Sequence, residues 1–362
     1  MLSISDSAKA AFLSGNPKTI TLKFDDNTIL TNENIIQESM TLTQTITDTQ
    51  NFSLGQIFSS EFRIQIFNDG TSYAGKWFNV TLGVLSYSLK IGRFKVESEK
   101  TSDDRIYKEI VAYDAIHDIL STDYAEWHNG LTFPMSLSSY IGKFTNYTGI
   151  NLLTSGSFVN NSMIIQRKAF ITGSYSGADV LRCILELNGC FACVSAIIDN
   201  SLYVREINPT VRQATVSNDN ILLGGFKRED FVTAQITCVH VRTIDGVTSG
   251  SYPSTVSAGK TYYITNNPLV VDMNSSQLAT VARNILGKIN QLFFHPYTLN
   301  CIGMPWMEVG DVIEVRAGQY YGLPIFNRVL SGINALRDTY TANGTKQFTQ
   351  TTSGNITVQT TT

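Results

Sequence analysis

The feature that most constrains the fold is a series of short, closely spaced runs in which apolar and polar residues alternate. The run EFRIQIFN (61–68) places Phe62, Ile64 and Ile66 on one face, and KTITLKF (18–24) shows the same period of two. Such alternation is typical of strands that bury one face, because successive side chains point to opposite sides. Further strand-like runs lie at residues 28–31, 38–46, 77–100, 105–116, 221–230, 233–244, 261–266, 307–318 and 327–342. Strands at this spacing predict a mainly β protein with a barrel or sandwich architecture.

Composition agrees with this fold class and sets the number of cores. The chain has 362 residues, 43% of them hydrophobic, with 16 Tyr and 19 Phe. Because single cores stop growing at roughly 250–300 residues, we expect two or more cores. Charged residues make up only 16% and the net charge is −3. This balance argues against a nucleic-acid binder that works by counterion release.

The first residues, MLSISDSAKAAFLSGNP, have neither the cationic start nor the apolar core of a signal peptide. No stretch reaches the roughly 18 uninterrupted apolar residues of a membrane helix. We therefore predict a protein made in a cytoplasm, without a membrane anchor. The cysteine count, five, is odd, so we expect reduced and mostly buried thiols.

Helical periodicity interrupts the strands in the middle of the chain. The clearest helix is residues 176–189, where Ser176 is the expected N-cap and Val180, Ile184 and Leu187 form the apolar stripe. A hairpin over residues 190–207 follows it, and further helices are predicted at 3–14, 133–149 and 275–294. The fold class is therefore mainly β with α+β insertions.

These changes of pattern divide the chain into four parts. Residues 1–116 are expected to form a first β-barrel-like domain, and residues 117–206 an α+β domain. Residues 207–342 form a second β-barrel-like domain, with a helical insertion at about 245–300. Residues 343–362 are a Thr-rich C-terminal arm. This arm is predicted to add as a strand to a neighbouring subunit, and a disordered tail is the alternative.

Side chains that carry chemistry do not form a recognisable site. Cys190 and Cys193 form a single CxxC pair, but they fall in a predicted strand, where positions i and i+3 point to opposite faces. The four histidines show no metal-ligand spacing. The acidic residues near Asp103 fit a hairpin turn better than a glycosidase pair. We therefore assign no catalytic, cofactor-binding or metal-binding residue.

Several segments have a distinctive order of glycines and acidic residues. Gly55 lies in FSLGQIFSSEFRIQIFN (52–68), and GRFKVESEKTSDDRIYKEIVAYDAIHDI (92–119) contains Gly92 and Asp114. The segment HPYTLNCIGMPWMEVGDVIEVR (295–316) shows a Gly-x-Pro-x-x-Glu-x-Gly-Asp pattern, carried by Gly303, Pro305, Glu308, Gly310 and Asp311. Over roughly residues 20–342 the chain resembles the baseplate hub family of phage tails. This family includes the N-terminal hub domain of tail-associated proteins of Gram-positive phages and is similar to the trimeric hub of contractile tails.

The resemblance implies a structural protein of the virion tail tip or baseplate, synthesised in the cytoplasm of a host bacterium. It implies a homotrimeric ring with two β-barrel-like tube domains per subunit. Such a ring is a symmetry adaptor that joins a six-fold tail tube to a three-fold tip and lines the channel. The implied partners are the distal tail or tail-tube protein, the tape-measure protein and a central spike or fibre protein. DNA is implied only as cargo passing through the channel, and no cofactor is implied.

Two other functions remain open at this point. One is a tail-associated hydrolase of the cell wall, either a peptidase or a glycosidase, which requires a cleft with a nucleophile or an acid pair. The other is a carbohydrate-binding receptor module, which requires exposed aromatic rings. The chain has three tryptophans, Trp77, Trp127 and Trp306. Since Trp306 lies inside the Gly303–Asp311 pattern, a packing role is favoured for it.

Overall fold

The computed structural model describes residues 1–47, 53–154, 158–255, 259–316, 320–346 and 356–358. Six α-helices are present in these ranges, and none of them has the length and apolar character needed to span a bilayer. The helices are α1 (Asp6–Leu13), α2 (His117–Ser121), α3 (Ala125–Gly130), α4 (Leu137–Thr148), α5 (Gly177–Glu186) and α6 (Ser275–Ile289).

Strands dominate the described chain and fall into three groups along the sequence. The first group is β1 (Lys18–Phe24), β2 (Ile29–Leu30), β3 (Thr41–Thr45), β4 (Glu61–Phe67), β5 (Trp77–Val84), β6 (Tyr87–Thr101) and β7 (Tyr107–Asp114). The second is β8 (Met135–Ser136), β9 (Asn151–Thr154), β10 (Ile164–Ile165), β11 (Phe191–Val194) and β12 (Ser201–Arg205). The third is β13 (Ala214–Ser217), β14 (Ile221–Arg228), β15 (Ile236–Arg242), β16 (Ser249–Tyr252), β17 (Lys260–Ile264), β18 (Tyr297–Ile302), β19 (Val312–Arg316), β20 (Tyr320–Pro324), β21 (Asn327–Ser331) and β22 (Arg337–Ala342).

The largest sheet contains eleven strands in the order β14-β18-β22-β21-β3-β4-β7-β6-β5-β1-β2. Its first four strands come from the third sequence group and its remaining strands from the first group. The pairing of β21 with β3 joins them, for example Leu330 with Leu42. The prediction of a mainly β fold is thus confirmed, and the two strand-rich blocks of the sequence are parts of one antiparallel sheet. Smaller sheets have the orders β10-β8, β11-β12-β9, β13-β19-β20 and β16-β15-β17.

No sheet in the described residues closes into a barrel, so the two expected barrel-like domains are not closed barrels. The β4–β5 part of the large sheet is nevertheless strongly curled. The rings of Phe62 on β4 and Phe78 on β5 lie 5.7 Å apart, although β7 and β6 separate these strands. Across a flat sheet three strand spacings would amount to about 14 Å. Curling is required for these rings to meet in one core.

An isolated bridge reinforces this curl. Ile35, just after β2, pairs with Ile66 on β4. The backbone N–H of Ile36 donates to Gln65 at 2.9 Å, and the N–H of Phe67 donates to Asn34 at 2.8 Å. The chain following the last strand of the sheet therefore returns to β4. This arrangement approaches a barrel, but a bridge rather than a paired strand makes the connection.

The outer edge of the large sheet at β14 is irregular. Ile221 pairs with Cys301 and Phe226 with Leu299, so the residues between Ile221 and Phe226 are opposite a single residue of β18. Leu223, within this bulge, has a relative exposure of 106%. At the opposite edge of the sheet, β2 has only two residues.

The helix predicted at 176–189 begins where its expected N-cap indicated. Ser176 caps α5, and its side chain and Asp179 form a reciprocal capping box. The helix predicted at 275–294 ends earlier, at Ile289, where Asn290 is the C-cap.

The insertion predicted as helical at about 245–300 also contains β16 and β17. These strands pair with β15, and α6 packs against β15 and β16.

Most of the Thr-rich arm lies outside the described residues, but residues 356–358 are placed. Val358 forms an antiparallel bridge with Ile171, and the Thr172 N–H donates to the Thr357 carbonyl at 3.0 Å. Ile356 is buried. This part of the arm contacts its own chain, and strand addition to a neighbouring subunit remains a prediction.

We predict that Phe62→Ala lowers the free energy of unfolding by about 3–5 kcal/mol, because it removes a fully buried ring from the aromatic core. The matched control is Phe67→Ala on the same strand. That ring is 49% exposed and its removal should cost much less. Urea denaturation of both variants measures the difference. Equal losses would show that the curled core is not the main source of stability here.

Candidate functional site

The Gly303–Asp311 segment connects β18 to β19 and is buried along most of its length. The Gly303 N–H donates to the Leu336 carbonyl at 2.7 Å. A Cβ atom on Gly303 would lie 2.6 Å from Leu336 Cβ, so no side chain fits there. Gly310 has a φ of +86°, which favours glycine. Pro305 and Trp306 are buried between these two glycines, so the segment is a packed turn and not an exposed loop.

The two acidic residues of the segment bind a cation from the middle of the chain. Arg205, at the end of β12, places its guanidinium 2.5 Å from Glu308 Oε2 and 2.6 Å from Asp311 Oδ1. The Met1 amine lies 3.1 Å and 2.5 Å from the same two oxygens. Asp311 also accepts the Glu308 N–H at 2.8 Å, which fixes the turn. The acidic residues therefore join the α+β region to the third group of strands.

A second buried ion pair holds the other side of this segment. Arg328 on β21 bonds Asp338 on β22, with 2.8 Å between Nε and Oδ1. The same guanidinium donates to the carbonyls of Met304 and Met307, and Asp338 accepts the Met304 N–H at 2.6 Å. Burial opposes the charge on Arg328, but Asp338 outweighs this and raises the pKa of Arg328 above its usual range. The pair thus fixes the backbone of the segment from the inner face of the sheet.

Gly55, Gly92 and Asp114, the other residues that carry the resemblance to the hub family, lie elsewhere in the fold. Gly55 has a φ of +74°, and a Cβ there would lie 2.4 Å from the Arg182 carbonyl of α5, so this glycine permits close packing on the helix. Gly92 lies beside a bulge in β6, where a Cβ would meet the Phe94 ring at 2.5 Å. Asp114 ends β7 and accepts the Ser60 N–H at 2.5 Å. Burial raises the pKa of Asp114 to about 7.

The eight pattern residues therefore do not converge on one cleft. Gly303, Pro305, Glu308, Gly310 and Asp311 shape a single buried turn, while the other three support separate joints of the fold. Sequence reasoning missed Arg205, Arg328 and Asp338. The sequence could have indicated Arg328 and Asp338, because each occupies a core-facing position of an alternating strand. Arg328 shares its face with Leu330 on β21, and Asp338 shares its face with Tyr340 on β22.

The cysteines have the properties of packing residues. All five are free and buried, in agreement with the prediction from their odd count. Burial raises the pKa of both Cys190 and Cys193 to about 12, which strongly disfavours the reactive thiolate. No group of three or more His, Cys, Asp or Glu residues is placed to hold a metal ion in the described part of the chain.

One cleft is lined by a serine whose hydroxyl contacts an imidazole. It has a volume of about 340 Å³ and is lined by Ser59, Tyr113 and side chains of β3 and β4. Ser59 Oγ lies 3.3 Å from His117 Nδ1, and the His117 ring stacks on Tyr113 with centroids 4.2 Å apart. Glu61, the nearby carboxylate, accepts hydrogen bonds from Arg63 and Tyr113 instead. Since no described carboxylate bonds His117, the pair lacks the third group of a catalytic triad.

The tryptophans differ in exposure. Trp306 is buried, as its position in the turn suggested, whereas Trp77 and Trp127 are half-buried. Trp127 on α3 contacts Tyr147 at the end of α4, with ring centroids 6.1 Å apart, and Tyr147 is 66% exposed. This pair provides an aromatic surface on the α+β region, but no polar side chain is hydrogen-bonded across it in the described chain.

Comparison with solved structures shows which proteins share this fold. No family model and no curated protein matches the sequence. A tail protein from Neisseria meningitidis MC58 aligns with a TM-score of 0.58 at 11% identity, over 90% of this chain and 96% of that protein. The 43 kDa tail protein of prophage MuSo2 from Shewanella oneidensis aligns with a TM-score of 0.53 at 12% identity, over 90% and 98%. A prophage tail protein from Listeria monocytogenes EGD-e gives 0.53 at 11%, over 90% and 94%.

We predict that Arg328→Met lowers the free energy of unfolding by about 3–5 kcal/mol, because it leaves Asp338 charged and buried without its partner. The control is Arg63→Met on the same sheet. That residue pairs with Glu61 at the surface, and its loss should cost about 0–1 kcal/mol. Urea denaturation measures both changes. Similar small losses for the two variants would contradict a structural role for the buried pair.

Asp114 should make stability depend on pH. Because its pKa is raised in the folded chain, folded Asp114 holds its proton more tightly than the unfolded chain does. Stability should therefore fall as the pH rises from about 4 to about 7, by up to about 1.4 kcal/mol per pH unit. Asp114→Asn should flatten this part of the curve. Denaturation series of both proteins at several pH values test this, and parallel curves would show the prediction to be wrong.

Proposed function

Starting from the fold that this chain shares with phage tail proteins, we propose that it is a structural subunit of a bacteriophage or prophage tail tip. The observation that carries the proposal is the extent of the match, since 90% of this chain aligns with nearly the whole length of three tail proteins. The likeness therefore extends over most of each aligned chain and is not confined to one part of it.

Within the tail we propose the position of a baseplate hub, in which three subunits form a ring. The two strand-rich blocks of each subunit would act as two tube domains, so that three subunits present six such domains to a six-fold tail tube. The curled β4–β5 region supports this proposal for the first block. The proposed partners are a second and third copy of this chain, the distal tail or tail-tube protein, the tape-measure protein and a central spike or fibre. DNA would pass through the ring as cargo.

We infer a structural role and not a catalytic one from how the side chains are used. Glu308 and Asp311 are occupied by Arg205, and the thiols are buried. Two serine–histidine contacts in the described residues favour the hydrolase alternative, Ser59–His117 at 3.3 Å and Ser251–His240 at 2.8 Å between Oγ and Nδ1. The Ser59–His117 pair lacks a carboxylate partner in the described structure, and in both pairs the serine contacts Nδ1 of the ring.

The assembly state tests the hub proposal. Light scattering on the purified chain should give about three times the chain mass of 40.0 kDa, either alone or after addition of the tail-tube protein. A ring should be visible in negative-stain images of the same sample. A mass equal to one chain under both conditions would count against the hub, while leaving a role elsewhere in the tail open.

A cell-wall assay tests the alternative function. We expect no clearing when the protein is applied to Gram-positive cell walls in a zymogram. Ser59→Ala and His117→Ala are the matched variants, because both leave the sheet intact. Clearing by the wild-type protein that either variant abolishes would replace the structural proposal with a hydrolase.

A further inference from the structure

The cleft beside Ser59, which we call the sheet cleft, lies on the outer face of the large sheet. Its floor is one row across three strands, because Thr43 on β3 pairs with Glu61 on β4 and Glu61 pairs with Tyr113 on β7. These three residues are half-buried, whereas their neighbours along each strand face the core. Three adjacent strands make the floor about 10 Å wide. Phe58, in the segment that leads into β4, also lines the cleft.

The charge inside the sheet cleft is balanced. Among the residues that line it, Glu61 alone is charged. Arg63 Nε lies 2.6 Å from Glu61 Oε1, and this hydrogen bond keeps the pKa of Glu61 below its usual range. The cleft therefore holds an ionised acceptor whose charge is neutralised by a neighbour. A phosphate group would meet no free cation in the lining, and a cationic ligand would have to compete with Arg63.

Several polar groups of the sheet cleft can still form hydrogen bonds. The Tyr113 hydroxyl donates to Glu61 Oε2 at 2.8 Å, so its oxygen keeps lone pairs that can accept from a ligand. Within the described chain the Thr43 and Thr45 hydroxyls have no hydrogen-bond partner, and each can donate as well as accept. They lie two residues apart on one face of β3, about 7 Å along the strand. The cleft thus offers spaced donors and acceptors.

Aromatic rings supply the apolar part of the lining. Phe58 remains 37% exposed, although a large apolar side chain gains free energy when it is buried. The Tyr113 ring stacks on His117 with centroids 4.2 Å apart, and His117 Nδ1 contacts the Ser59 hydroxyl at 3.3 Å. These contacts hold the Tyr113 ring in one orientation. An exposed ring therefore stands beside a fixed set of polar groups.

Another cleft of the described chain is similar in size but not in chemistry. It has a volume of about 280 Å³ and lies between α6 and the segment around Met163. Its lining contains methionines, amides and hydroxyls, but neither an aromatic ring nor a charged side chain. The combination of a ring, a carboxylate and hydroxyl groups therefore distinguishes the sheet cleft from this one.

We propose that the sheet cleft binds a neutral sugar, one hexopyranose ring of a saccharide. Such a ring is uncharged, carries several hydroxyl groups and presents an apolar face of C–H bonds. Phe58 stacks on that face, Glu61 and Tyr113 accept hydrogen bonds from the sugar hydroxyls, and the Thr43 hydroxyl donates to them. A volume of about 340 Å³ lies at the lower end of the roughly 300–1,000 Å³ of small-molecule pockets, which suits a single ring.

This binding function is additional to the structural role and does not depend on the hub, because the cleft is formed within one chain. The ring can come from a free saccharide or from a polysaccharide, since both present the same chemistry to the cleft. In a tail protein the second source would give the particle a contact with glycans.

Saturation-transfer NMR on the purified full chain tests the site. The probes are the methyl glycosides of glucose, galactose, mannose and N-acetylglucosamine. We expect transfer to the ring protons of at least one probe, with a dissociation constant on the order of 1 mM for a single ring. Phe58→Ala should weaken this binding by about tenfold or more, because the stacking surface is lost. Glu61→Gln, which keeps the side-chain shape, should weaken it as well.

Phe67→Ala is the matched control, because it removes a 49% exposed ring from the far end of β4 and should leave the affinity unchanged. Circular dichroism establishes that each variant is folded. A trisaccharide of the best sugar that binds more tightly than its methyl glycoside supports a polysaccharide as the source, and equal affinities support a free saccharide.

Two outcomes overturn the proposal. One is the absence of transfer to all four glycosides. The other is binding that survives Phe58→Ala, and if Tyr147→Ala abolishes it, the sugar occupies the aromatic surface of the α+β region instead. The assay does not require assembly, so a chain that stays monomeric contradicts the hub proposal and leaves this test valid.

Discussion

The pairing of β3 with β21 is the contact on which the rest of the architecture depends. It joins parts of the chain so far apart that Gln44 and Arg328, hydrogen-bonded across it, are separated by 284 positions. Without it the eleven-stranded sheet would be two smaller sheets, each with an open edge. The buried Arg328–Asp338 pair lies at this junction and also holds the turn after β18, so one charged group fixes both the junction and the packed segment next to it.

Sequence periodicity could predict much of the secondary structure because it depends on local chemistry. The alternation in 61–68 and the N-cap at Ser176 both correspond to observed elements. The partner of each strand could not be predicted in this way. A period of two shows which residues share a face, but it carries no information on which strand lies alongside, and β3 is bonded to strands from both ends of the chain.

The candidate site shows the same limit. The glycines and acidic residues between Gly303 and Asp311 could be recognised as a pattern, and the local turn chemistry of Asp311 could be anticipated. Their cationic partners could not, since Arg205 comes from a strand of the α+β region that approaches only in three dimensions. The Ser59–His117 contact could not be predicted from the sequence for the same reason, because the two residues are 58 positions apart. If this protein acts as a tail component, its function depends on the shape and charge of whole faces and not on a few reactive groups.

The two edges of the large sheet also limit how the protein can associate. Long, regular edge strands are templates for uncontrolled strand addition and aggregation. At one edge β2 offers only two residues, and at the other the bulge between Ile221 and Phe226 breaks the hydrogen-bonding ladder of β14. Neither edge presents a long uninterrupted row of backbone donors and acceptors. Copies of this chain present at high local concentration are thereby discouraged from growing into continuous fibrils through the edges of this sheet.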